Sequence, residues 1–189
     1  MTLLAAPAEE EKTLAALALA MVDHPRATLQ ELAKAIGVSK ATLYRFCRTR
    51  DQLIERLFAH CAVVMRRSLA QADLGSGAPV EALRRLIHGQ LMHKELTSFL
   101  IYYWKPDSMT DARGVESWDA FQDVVDAFFL RGQHEGAFRI DISAATLTET
   151  LLSILTGLVD AERRGRVPRT AIAATVERLF LAGAATPTK

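Results

Sequence analysis

The sequence predicts an all-α fold in which a three-helix amino-terminal domain is joined by one long helix to a larger helical carboxy-terminal domain. Three observations lead there. Serine and threonine caps followed by apolar residues at helical spacing recur along the chain; glycine and proline interrupt it at helix-length intervals; and no stretch alternates apolar with polar residues as a half-buried strand does. The 189 residues suffice for one compact domain or two small ones. With 23 Lys and Arg against 22 Asp and Glu, the overall charge points to no class of partner.

The first helix is expected over residues 8–22. Pro7 suits a first turn because it has no amide to leave unsatisfied, and Glu9, Glu10 and Glu11 favour the positive end of the helix dipole. The apolar run 13–22 has the length of a signal-peptide core, but those three glutamates stand where a secretory signal carries positive charge. The run is too short to cross a bilayer, and no other stretch is expected to do better. A cytoplasmic location follows.

Thr28 and Glu31 have the spacing of a capping box, so a second helix should start at Thr28. Leu29, Leu32, Ala33 and Ile36 give it an apolar face, and Gly37 ends it. Ser39 caps a third helix almost at once, which is the short glycine-containing turn of a helix-turn-helix. Thr49 and Gln52 repeat the capping-box spacing and start a fourth helix.

Unrolled from Lys40 at about 100° per residue, the third helix gathers Leu43, Phe46 and Cys47 into an arc of roughly 100° that must face a core. Its remaining surface presents Lys40, Ala41, Tyr44 and Arg45, with Thr42 at the edge. Lysine and arginine offer charge to phosphates and base edges, the hydroxyls offer hydrogen bonds, and alanine permits close approach. Charge is concentrated here: Lys34, Lys40, Arg45, Arg48 and Arg50 fall in one stretch with no acidic residue. The pattern fits a major-groove face, the alternative being a solvated basic turn.

Residues 28–53 resemble the DNA-binding region of the TetR family of bacterial transcriptional regulators, whose helix-turn-helix commonly reads Gly-Val-Ser followed shortly by Leu-Tyr. Here the stretch runs Gly37, Val38, Ser39, Lys40, Ala41, Thr42, Leu43, Tyr44, with Arg50 and Leu53 following. The resemblance is strong over about residues 8–68 and beyond that rests on helix pattern and length. It implies a DNA-binding domain over 8–68, with the helix-turn-helix at about 31–50, and an effector-binding and dimerisation domain over 75–189. It also implies DNA contacts from Thr28, Ser39, Lys40, Thr42, Tyr44 and Arg50, with Arg45 at the position that varies for sequence readout. The chain departs from the family at Phe46, Cys47 and Arg48, where an aromatic or histidine pair and then proline or glycine is usual; Arg48 is expected to take over a histidine's phosphate contact. Leu19 and Asp23 also replace the phenylalanine and glycine common near the end of the first helix.

The fourth helix is expected over 51–73, with Ile54, Phe58, Cys61 and Met65 on one face. Gly75, Ser76, Gly77, Ala78 and Pro79 break the chain. Further helices are expected at about 79–94, 95–104, 114–135, 143–164 and 168–184, with a loop over 136–141 and Ser143 as a cap. Cys47 and Cys61 are too few for a disulfide framework and lack metal spacing; the expectation is two core thiols, with a redox sensor as the alternative. His88 and His93 would point about 140° apart on a helix. No metal and no cofactor are therefore expected.

Aromatic residues concentrate in 99–104 and on the following helix. Met65, Phe99, Tyr102, Tyr103, Trp104, Trp118 and Phe121 are the candidates for lining an effector cavity, against the plain alternative of an aromatic core. Tyr102, Tyr103 and Trp104 each carry a polar atom that seeks a partner when buried. The resemblance implies a small-molecule effector without specifying it.

Leu147, Leu151, Leu152, Ile154, Leu155, Leu158 and Val159 spread over more of a helix than one buried stripe requires, and Gly157 and Ala161 permit close approach. Together with the last helix they suggest a two-fold four-helix interface formed by Leu151, Ile154, Leu155, Leu158, Ile172, Val176, Leu179 and Phe180. The alternative is that this face packs within one subunit. The reading is a homodimeric, ligand-responsive repressor acting on a double-stranded DNA operator, with no membrane partner. No nucleophile, base and orienting group fall at informative spacing, and no phosphate-binding glycine loop is present, so no enzyme activity is expected. A small helical enzyme or ligand carrier, and an adaptor using the helix pair for protein contacts, are the alternatives.

Overall fold

The computed structural model describes residues 7–103 and 112–186. Within them the chain forms α1 (Pro7–Asp23), α2 (Leu29–Ala35), α3 (Lys40–Phe46), α4 (Arg50–Ala72), α5 (Pro79–Met92), α6 (Lys94–Tyr103), α7 (Ala112–His134), α8 (Ala144–Arg163) and α9 (Ile172–Ala184). The only extended pairing among the described residues is an isolated antiparallel bridge between Phe138 and Ala185, so the fold is all-α. Two compact units divide the chain inside α4, after Val63, and again at the start of α6, so that α6 from Glu95 belongs with α1, α2, α3 and the first part of α4, and the rest of α4 with α5, α7, α8 and α9 forms the second unit.

In the first unit, α1 buries Leu14, Leu17, Ala18 and Met21, α2 buries Leu29, Leu32 and Ala33, and α3 buries Leu43. Leu53, Leu57 and Cys61 of α4 close this core. The buried stripe of α4 runs Leu53, Leu57, Cys61, Val64, Ser68; of the expected face Cys61 is buried, whereas Ile54, Phe58 and Met65 are half-buried on the flank, each one position from a buried residue. Phe99 of α6 is fully buried, edge-on to Phe58 at 5.1 Å and stacked on Tyr103 at 4.8 Å between centroids. Gly37 ends the α2 segment at φ +73°, a conformation that costs glycine little.

The second unit is built on α7, α8 and α9 with α5. Its core holds Leu83, Leu86 and Ile87, then Phe121, Val125, Phe128 and Phe129, then Leu147, Leu151 and Leu155, and finally Ile172, Val176 and Phe180. Phe138, on the loop after α7, lies edge-on to Phe128 and Phe129 at 5.7 and 5.2 Å. That loop is tied down by Arg139 donating its amide to the Ala184 carbonyl at 3.0 Å and by the Thr186 amide reaching the Ala137 carbonyl at 3.2 Å. The last carbonyl of α4, that of Ala72, and the Asp73 and Ser76 carbonyls just beyond it accept from the Arg85 guanidinium, and the Leu74 carbonyl accepts from Arg131. Ser143 caps α8 by accepting the Thr146 amide at 3.2 Å.

Two expectations change here. Leu151, Leu155, Ile172, Val176 and Phe180, all 0–2% exposed, are core residues within the single chain. Both helices place residues four apart along one buried stripe, so these side chains cannot also face outward. Ile154 and Leu158 are half-buried against the flank of that core, Leu179 is 57% exposed, and at Gly157 and Gly183 an added side chain would meet open space. Second, α8 is long and apolar enough, by length and composition, to cross a membrane, with 28% of its apolar window buried. Its inward stripe nonetheless packs into the core of the second unit.

Candidate nucleic-acid interface

The Ser39 backbone is extended, and its hydroxyl oxygen accepts the Thr42 amide at 3.0 Å, which starts α3. The Ser39 and Thr42 hydroxyls lie 2.8 Å apart, so both candidate hydroxyls take part in the cap. From this start the helix turns Leu43 and Cys47 inward, at 0% and 3% exposure. Lys40, Ala41, Tyr44 and Arg45 are exposed on the other side, Thr42 is half-buried at the edge, and Arg48 is exposed just beyond the helix. The Lys40 ammonium lies 5.3 Å from the centroid of the Tyr44 ring, one turn along.

Phe46 is half-buried. Arg56 places its guanidinium 4.8 Å from that ring and donates to the Phe46 carbonyl at 2.9 Å, holding the end of α3 from the side of α4. Nothing in the spacing of Arg56 marks this role, since its partner is a backbone carbonyl. Thr49 accepts the Gln52 amide at 3.2 Å, but Gln52 Oε1 accepts from the Arg48 amide at 2.9 Å, so the expected second capping box is only half formed.

At the start of α2 the box is complete. Thr28 donates both its amide and its hydroxyl to Glu31 Oε2 at 2.8 Å, and the Glu31 amide returns to Thr28 Oγ1 at 3.3 Å. The backbone donor and then the side-chain donor of Thr28 hold the Glu31 carboxyl below its ordinary range. Beside it, an open depression of about 690 Å³ is lined by His24, Arg26 and Lys34 together with Glu31 itself.

Arg50 is half-buried, and its guanidinium is engaged. Nη1 donates to the Ala27 carbonyl at 2.8 Å, and Nη2 donates to the Pro25 carbonyl at 2.7 Å and to the Tyr103 hydroxyl at 2.8 Å. Tyr103 in turn donates to the Met21 carbonyl at 3.1 Å.

The aromatic candidates fall into two groups. In the first unit Phe99 is buried, Tyr102 is 44% exposed and Tyr103 holds the contacts just described. In the second unit Met65 is half-buried against the core, and Trp118 is stacked on buried Phe121 at 5.7 Å. Trp104 lies outside the described residues. Both cysteines are free and buried. Burial pushes the Cys61 thiol up to about 12 and raises that of Cys47, disfavouring the reactive thiolate.

Residues 15–57 match the sequence pattern of the bacterial regulatory proteins of the tetR family. The chain is 48% identical over 180 residues to the HTH-type transcriptional regulator NfxB of Pseudomonas aeruginosa, covering 95% of this chain and 96% of that protein. It is 33% identical over 112 residues to the HTH-type transcriptional repressor LfrR of Mycolicibacterium smegmatis, covering 59% of this chain and 58% of LfrR. The crystal structure of LfrR in complex with proflavine has the same fold, with a TM-score of 0.70, 23% identity, and coverage of 93% of this chain and 97% of that one.

Proposed function

This chain belongs to the TetR family, and we propose that it is a homodimeric, ligand-responsive transcriptional repressor that reads double-stranded DNA with α3. One observation carries the reading: α3 starts at a capped Ser39, buries Leu43 and Cys47, and leaves Lys40, Ala41, Tyr44 and Arg45 exposed as a set. Such a face combines phosphate anchoring with base-edge readout, for which Arg45 supplies the bidentate donor. Thr28, Ser39, Thr42 and Arg48 supply further backbone contacts.

The DNA-binding domain is 8–68, and 75–189 binds the effector and the second subunit. Pairing uses the flank and outward side of α8 and α9, with half-buried Ile154 and Leu158 and exposed Leu179 as anchors around Gly157 and Gly183. The effector is a small molecule. LfrR was crystallised with proflavine, which makes that fluorescent compound the first probe to titrate. Because an effector shifts an equilibrium only by its differential affinity, release from DNA requires a pocket that differs between the two states. Acting on DNA places the protein in the cytoplasm.

Footprinting on genomic fragments selected by the purified protein tests the reading. It should protect two half-sites about one DNA turn apart, related by approximate two-fold symmetry. A single isolated protected segment would contradict the dimeric reader.

A further inference from the structure

Arg50 is the first residue of α4, yet it does not serve that helix alone. Its guanidinium reaches back to the loop between α1 and α2 and takes two carbonyls there, those of Pro25 and Ala27, immediately before the Thr28 cap. Nη2 spends both its hydrogens, one on Pro25 and one on the Tyr103 hydroxyl. Either bidentate edge of a guanidinium needs a hydrogen on Nη2, so no fork remains for a phosphate. The resemblance alone would have Arg50 touch DNA; its geometry commits it elsewhere.

Tyr103 completes the arrangement for a reason set by the sequence. In a continuing helix the Met21 carbonyl would accept the amide of residue 25, but residue 25 is proline and has none. Tyr103 donates its hydroxyl to that orphaned carbonyl at 3.1 Å and accepts from Arg50 at 2.8 Å. The α6 backbone behind it is held by Phe99, stacked on the Tyr103 ring and buried against Phe58. One hydroxyl thus joins α6, the end of α1 and the start of α4.

We propose that Arg50 and Tyr103 are positioning residues for DNA binding, a hydrogen-bonded latch by which α6 holds the α1–α2 loop, and with it Thr28 and α2, in the DNA-reading arrangement. The latch rests on the DNA-reading assignment above. Withdrawing the Tyr103 hydroxyl frees the Met21 carbonyl and one Arg50 donor together. Neither residue needs to touch DNA for its loss to weaken binding.

The test uses the full-length protein and a double-stranded fragment selected by it from the source genome, with affinity measured by fluorescence anisotropy over a range of salt. Measurements are made well below the melting transition, where lost stability alone leaves affinity unchanged. Tyr103→Phe and Arg50→Lys should each weaken binding on the order of tenfold, the factor a lost charged hydrogen bond carries, without changing the salt slope. The double variant should be no weaker than the worse single one, as expected for two residues in one network. Wild-type affinity in Tyr103→Phe overturns the latch. So does wild-type affinity in Arg50→Lys when Arg50→Ala lowers the salt slope by about one, because that pattern marks a phosphate contact. Failure of the unaltered protein to bind any fragment at low salt overturns the DNA-reading assignment itself, a result distinct from either.

Discussion

Gly132 of α7 faces the ring of Phe138 so closely that a single added methyl group would overlap the ring carbons. Phe138 is fully buried and edge-on to two neighbouring phenylalanines, so it has nowhere to retreat. Gly132→Ala should therefore destabilise the protein by about 1–3 kcal/mol through overpacking, despite the better helix propensity of alanine. Phe138→Ala should cost about 3–5 kcal/mol by opening a cavity at the same place. Urea denaturation followed by circular dichroism measures both; a neutral Gly132→Ala would mean the loop after α7 is not locked onto the helix as described.

Glu31 links stability to pH. Its folded carboxyl titrates below the ordinary value of 4.5 because Thr28 donates two hydrogen bonds to the charged form. A depressed carboxyl contributes stability that is fully present above the unfolded value and is lost as pH falls through the folded one. Hydrogen exchange of the α2 amides should thus accelerate as pH drops below about 4.5, relative to the intrinsic rates. Glu31→Gln should remove that acid dependence; if it persists unchanged, the Thr28–Glu31 box is not its source.

On α3, charge and readout should separate by substitution. Arg45→Ala is expected to cost on the order of 1–3 kcal/mol on the preferred site and to relax base preference there, whereas Lys40→Ala should weaken all sequences alike. Selection on randomised sites with each variant checks this. Unchanged preference after Arg45→Ala would mean that the exposed face of α3 is not the face that reads bases.

For self-association, position along α8 decides the outcome. Leu158→Arg changes a half-buried residue on the flank of the core stripe and should yield folded monomers by light scattering. Leu151→Arg places a charge at a fully buried site and should instead unfold the second unit. A dimer that survives Leu158→Arg would put the interface elsewhere.

The parts of this protein that could be read from its sequence are those where a side chain does a local job at fixed spacing. Thr28 with Glu31, Ser39 and Ser143 declare helix starts because a cap accepts an amide two or three residues on. The inward turn of Leu43 and Cys47 follows from period alone. What could not be read depends on distant partners. Arg50 reaches Tyr103 across 53 positions, and Arg56 reaches a backbone carbonyl, which carries no sequence signal. On α8 the apolar residues cover so wide an arc that pattern alone could not assign the inward stripe; the packing of α7 and α9 put Leu151 and Leu155 inside and left Ile154 and Leu158 on the flank.

A binding isotherm of the intact protein on its selected genomic fragment at two salt concentrations tests DNA reading by α3 most directly. A saturable complex is expected at low salt, with an affinity that falls steeply as salt rises, because Lys40 and its basic neighbours displace counterions from phosphates. An absence of binding at the lower salt, with the protein folded, would contradict it.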